Sequence, residues 1–175
     1  TDVGIYDQGF SIGQMHYRIL SLKLMPDQTF TTMATVLRGL PFDSRLQLTI
    51  KVPNQQKEIE SLQLKRRVAY SMIAGRRSGV SDLDSEAKFN DLETLLEQMV
   101  AQGEKVFNVS FQIVLRAENP EALDDLVSQA LMKIRDLSGA EGMIESLAAF
   151  DVFAEIALPN ARSNERMLTL KTSNL

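Results

Sequence analysis

Apolar and polar positions first alternate in the stretch from His16 to Met25. Leu20, Leu22 and Leu24 stand against Ile19, Ser21 and Lys23, a period of two that predicts a strand. Pro26-Asp27 ends it. Phe30, Met33, Val36 and Leu37 then recur at helical spacing, with Asp27 or Thr29 as the N-cap, Gly39 as the stop and Pro41 forbidding continuation. From Arg45 to Val52 the alternation is cleaner. Leu46, Leu48, Ile50 and Val52 share one face and Arg45, Gln47, Thr49 and Lys51 the other, so one face is expected buried and one wet.

Two long helical patterns follow. Asn54 to about Arg76 carries Ile59, Leu62, Val68, Ala69, Met72 and Ile73 as an apolar stripe, with Asn54 able to cap it. Asp84 to about Gln102 carries Phe89, Leu92, Leu95, Leu96, Met99 and Val100; Ser81-x-x-Asp84 can nucleate its start, and Gly103 suits the left-handed position after its end. The short polar loop between them predicts an antiparallel helical hairpin.

Lys105 to Ala117 reads as a third strand, with Phe107, Val109, Phe111, Ile113 and Leu115 on its apolar face. Asn119-Pro120 opens a helix that runs through Leu123, Leu126, Val127, Ala130, Leu131, Ile134 and Leu137 to Ser138-Gly139. Gly142 to Leu147 reads as a short fourth strand, and Ala148 to Leu158 as a final helix stopped by Pro159-Asn160. Residues 1–14, with three glycines and no clear period, read as loop with at most a short edge strand. The tail from Ala161 to Leu175 is polar, then weakly alternating at Met167, Leu168 and Leu170.

The fold class expected is therefore α+β: two βαβ halves of ferredoxin-like kind, helices mainly on one sheet face, and a two-helix hairpin inserted over residues 54–103. The chain reads as a single domain over residues 1–175, with 160–175 as a linker.

Composition removes several chemistries. In 175 residues there is no Cys and one His, His16, so thiol catalysis, a disulfide framework, a His-rich metal site and a Ser-His-Asp triad are not expected. The net charge of −4 argues against a large nucleic-acid surface. No stretch approaches the roughly 20 apolar residues of a membrane span. The first residues have neither the basic nor the apolar region of a signal peptide, and the absent initiator Met suggests an excised fragment.

There is no G-x-x-x-x-G-K-[ST] and no G-x-G-x-x-G; Gly75-Arg-Arg-Ser-Gly79 follows a helix, not a strand, and reads as a solvated hairpin tip. Asp124 with Asp125, and Asp82 with Asp84, sit at helix starts, where the dipole favours acids without any catalytic role. His16 reads as an ordinary edge residue. Phe107 and Phe111 share the core face with Val109 and Ile113, which argues against base stacking.

Charge is distributed unevenly. Residues 57–77 hold Lys57, Lys65, Arg66, Arg67, Arg76 and Arg77 against two acids, a balance of +4; residues 78–104 hold seven acids against Lys88, a balance of −6. One helix of the hairpin is basic and the other acidic. Such a pair either complements itself or presents a polarised docking surface, with Lys65, Arg66, Arg67, Arg76 and Arg77 as the candidate docking residues.

Short segments resemble, in order, the amino-terminal half of conjugative type IV secretion ATPases of the TrbE, TraC and VirB type: Tyr17-Arg-Ile-Leu-Ser-Leu-Lys, Leu40-Pro-Phe, Leu48-Thr-Ile-Lys-Val-Pro, Lys65-Arg-Arg, Gly103-Glu-Lys-Val-Phe, Ala157-Leu-Pro and Leu170-Lys-Thr-Ser-Asn-Leu175. The resemblance spans most of the chain and is sharpest at Lys171 to Leu175. It implies a docking and assembly domain of a cytoplasmic, hexamer-forming motor peripheral to a bacterial inner membrane, in contact with the inner-membrane secretion complex and contributing to self-association. It implies no direct nucleic-acid binding. The family's ATP and Mg sites lie in its carboxy-terminal half, toward which residues 160–175 would lead, so no catalytic, cofactor or metal residue is expected here. The alternative is a free-standing ferredoxin-like regulatory domain that binds a small molecule. An acid-pair enzyme and a single-strand binder fit the pattern less well.

Overall fold

A computed structural model describes residues 2–26, 33–74, 83–137, 139–157 and 166–174. Its elements, in chain order, are strands β1 (Val3–Tyr6), β2 (Gly9–Ile12) and β3 (Met15–Leu24), helix α1 (Met33–Arg38), β4 (Ser44–Lys51), helices α2 (Gln55–Ala74) and α3 (Leu83–Ala101), β5 (Val106–Ala117), α4 (Pro120–Arg135), β6 (Glu141–Ile144), α5 (Ala149–Ala157), β7 (Leu168–Lys171) and a 3-10 turn over Thr172–Asn174. The fold is α+β. The expected order of strands and helices is present, and three strands are added: β1 and β2, a hairpin at the N-terminus, and β7 near the C-terminus. The N-cap expected at Asp27 or Thr29, Phe30, the Gly75–Gly79 tip and Ser81 lie outside the described residues.

The contacts of the chain cluster in two units, Thr1–Ile50 with Val109–Leu168, and Lys51–Asn108 with Thr169–Leu175. The hairpin expected as an insertion in one domain is thus the body of the second unit, and the expected linker supplies that unit with β7.

In the first unit the strands run β1-β2-β3-β5-β4, and β6 also pairs with β3. A strand has two edges, and β3 uses both. One edge meets β5 antiparallel from His16↔Ala117 to Ser21↔Gln112. The other is divided: β2 takes its beginning, at Phe10↔Tyr17 and Ile12↔Met15, and β6 takes its end, from Leu20↔Ile144 to Leu24↔Glu141. The βαβ halves therefore interleave as β6-β3-β5-β4.

Period two then assigns the two faces. Leu20, Leu22, Ile113 and Leu115 form one core with Leu37 of α1 and Leu123, Val127, Ala130 and Ile134 of α4. The opposite face carries Phe10, Ile19 and Val114 under Ala149 and Val152 of α5. Two helices cover the first face and one the second. The α4 start is as expected: Asn119 is extended and its side chain accepts from the Ala122 N–H at 2.8 Å, with Pro120 next.

The N-terminal residues differ from the loop reading. β1 and β2 form a hairpin over Asp7-Gln8, and Phe10 is wholly buried, its ring stacked on Tyr17 at 5.2 Å and edge-on to Phe150 at 5.3 Å. Alternation was invisible because β1 is largely exposed on both faces. Gly9 is demanded by packing, since a Cβ there would come within 2.5 Å of the Tyr17 carbonyl oxygen.

Strand β4 also departs from expectation. Its apolar row does not become a buried face: Leu46 reaches the core, but Leu48 and Ile50 are 53% and 47% exposed. The reason is reach, because α4 lies over β3 and β6, and β4 is at the far end of the strand order.

Candidate functional site

The second unit is built on α2 and α3. Asn54 caps α2, its side chain accepting the Lys57 N–H at 3.1 Å. Gly103 takes the left-handed conformation expected after α3, with φ +71. The helices run antiparallel, since Arg66 meets Glu93 while Tyr70 meets Phe89, one turn further along α2 and one turn back along α3. Their seam is Leu62, Leu96 and Met99 with Val106, flanked by Ile59, Leu92 and Leu95.

Gln55 fixes the base of the hairpin. Its amide donates to the Val106 carbonyl at 3.0 Å and accepts the Val106 N–H at 2.9 Å, so one side chain does what a neighbouring strand residue would do. The C-terminal segment closes the same base. The Thr172 N–H donates to the Lys105 carbonyl at 2.9 Å, the Lys105 N–H donates to Thr172 Oγ1 at 2.8 Å, and Lys171 Nζ donates to Gln98 Oε1 on α3 at 2.9 Å.

A two-helix hairpin covers only one side of each helix. The stripe expected on α2 accordingly splits. Leu62 is buried and Ile59, Ala69 and Ile73 half-buried, whereas Val68 and Met72 are exposed, as is Leu64. Leu64, Val68 and Met72 lie at i, i+4 and i+8, a second apolar stripe along the helix. With Lys65 and Ala69, and with Lys88, Asp91 and Leu92 of α3, they line an open groove of about 530 Å³. A smaller groove of about 370 Å³ lies between Gln63 and Arg66 of α2 and Glu93, Leu96, Glu97 and Val100 of α3.

The candidate basic residues are not gathered on one face, because successive helical residues turn by about 100°. Lys65 borders the apolar groove. Arg66 lies against α3, its guanidinium 3.8 Å from the Glu93 carboxylate. Arg67 is exposed. Arg76 and Arg77 lie outside the described residues. The Arg66–Glu93 pair is half open to water on both sides, so it contributes at most about 1 kcal/mol. Leu64 was missed in the sequence because the reading sought one stripe per helix. The signal was present as Leu64-x-x-x-Val68-x-x-x-Met72.

The other chemical candidates are engaged structurally. Asp124 pairs with Arg18 at 2.6 Å. His16 Nδ1 lies 3.2 Å from the Tyr6 hydroxyl. Phe111 packs against the α4 core. Asp82 lies outside the described residues. Among the described residues no group of three or more His, Asp or Glu side chains could hold a metal ion, and no helix is long and apolar enough to cross a membrane.

The arrangement offers an apolar cleft with Lys65, Lys88 and Asp91 among its lining residues. Comparison with known protein families matches no family model, and comparison with curated proteins matches none of them.

Proposed function

We propose that the chain is a non-catalytic docking and assembly domain of a conjugative type IV secretion ATPase. The observation behind this reading is the solvent-facing stripe Leu64, Val68 and Met72, bordered by Lys65, Lys88 and Asp91. Isolated exposed leucines need no explanation, but a helical row of three apolar side chains along one groove is the form in which soluble proteins present a docking site. The ordered sequence resemblance supplies the context: a cytoplasmic motor at the bacterial inner membrane, whose partners are inner-membrane components of the secretion complex and further copies of the motor. ATP and Mg belong to the family's nucleotide-binding half. The interleaved order β6-β3-β5-β4 supports the ferredoxin-like frame expected for the first unit.

The test is site-specific photo-crosslinking from Met72 in cells carrying the encoding transfer system, with transfer frequency as a second readout. Capture of an inner-membrane secretion component or another copy of the motor is expected. Leu64→Ser with Met72→Ser, or Lys65→Glu with Arg67→Glu, should weaken capture and transfer while leaving the circular dichroism of the chain unchanged. Folded variants with full capture and full transfer would overturn the reading.

A further inference from the structure

Strand β4 stands at the end of the strand order, and among the described residues it pairs only with β5. Its other edge is a row of backbone N–H and C=O groups without a strand partner. Such edges are ordinarily shortened, bulged or covered, because they template further pairing. This one spans eight residues, and two of the apolar side chains beside it, Leu48 and Ile50, are about half exposed. Backbone edge and apolar row together are what an added strand needs, the first for hydrogen bonds and the second for side-chain pockets.

The charges on the opposite face select the occupant. There β4 offers Arg45, Gln47, Thr49 and Lys51: two bases, no acid, and no ion-pair partner for either base among the described residues. A second copy is a poor fit. In antiparallel self-pairing about a two-fold axis, apolar meets apolar only if the facing residues share a parity. Within β4, the one register that sets Leu46, Leu48 and Ile50 all against apolar partners is centred on Leu48, and it sets Arg45 directly against Lys51 of the other copy, twice over. Like charges opposite one another weaken a strand pair. A strand with acids on that face turns both contacts favourable.

We propose that β4 is a strand-addition edge that takes an extended segment of a partner protein in which apolar and acidic side chains alternate. The proposal concerns β4 alone and does not depend on the hairpin groove or on the kinship to secretion ATPases.

The probe is an acetylated, amidated heptapeptide alternating Glu with Val, and its counterpart alternating Lys with Val. Hydrogen exchange and fluorescence anisotropy are followed on the whole chain. The acidic peptide should slow exchange at the amides of Ser44–Lys51 and bind about tenfold more tightly than the basic one, a ratio of about 1.4 kcal/mol. In Arg45→Glu with Lys51→Glu, both exposed and therefore compatible with folding, the preference should reverse. Equal binding of the two peptides, protection confined to other strands, or a preference unchanged by charge reversal would each overturn the proposal. Slowed exchange of β4 that rises with protein concentration and needs no peptide would also overturn it, in favour of pairing between copies.

Discussion

Glu145 is wholly buried, and its two carboxylate oxygens receive two N–H groups of Arg166, Nε at 2.9 Å and Nη2 at 3.1 Å. Its own backbone N–H donates to the Ile19 carbonyl at 2.8 Å, on the edge of β3 where β2 ends and β6 begins. A buried carboxylate without its cation keeps the desolvation cost and loses the compensation. Removing one partner of a fully buried pair costs about 3–5 kcal/mol, but Arg166 is partly open to water, so the expected loss for Arg166→Ala is nearer about 2 kcal/mol. Urea unfolding should give that loss for Arg166→Ala and less than the sum of the single losses for Glu145→Met combined with Arg166→Met. Strict additivity would show that the pair is not coupled.

Ser21 and Gln112 face each other across β3 and β5, on the face of the sheet that also bears Ile19 and Val114. Both are wholly buried, and Ser21 Oγ and both amide atoms of Gln112 lack a hydrogen-bond partner among the described residues. An unmet buried amide is costly, so Gln112→Met, which keeps the length and flexibility of the side chain, should raise stability by about 1–2 kcal/mol. The urea midpoint at constant m-value is the measurement. A fall in the midpoint would mean that bound water satisfies the amide in solution.

Tyr6 donates its hydroxyl proton to the Phe10 carbonyl at 3.1 Å. With that single proton used, His16 Nδ1 must carry the hydrogen of the 3.2 Å contact between them. Burial raises the Tyr6 pKa above the ordinary phenol value; the Arg18 charge and a backbone hydrogen bond oppose the rise, and the Asp124 charge adds to it. The raised value means that the folded state holds the phenol proton more tightly than the unfolded state. The resulting stabilisation is complete below about pH 10 and is lost as pH climbs through the folded value. The difference in phenolate absorbance between the parent chain and Tyr6→Phe should therefore have a midpoint above pH 10, and the alkaline loss of stability should be shallower in Tyr6→Phe. A midpoint at or below pH 10 would contradict the burial.

The order of elements was legible residue by residue. Alternation at Leu20, Leu22 and Leu24 and at Val109, Ile113 and Leu115, helical spacing along α2 to α4, and the caps at Asn54, Asn119 and Gly103 are local properties, governed by backbone geometry within a few residues. They determined the α+β class and the hairpin between the two βαβ halves. What local pattern could not decide was coverage, since an apolar side chain is buried only where another element reaches it. Leu46, Leu48 and Ile50 repeat identically in the sequence, yet α4 lies over β3 and β6, so the last two remain largely open. Val68 and Met72 look like seam residues until a single partner helix leaves them, with Leu64, exposed along the open groove between α2 and α3. Phe10, in a stretch with no readable period, is buried because Tyr17 of the next strand and Phe150 and Phe153, far along the chain, converge on it. The sequence by itself determined which faces are apolar; only the tertiary structure decided which of those faces are left for a partner, because burial depends on neighbours far away along the chain.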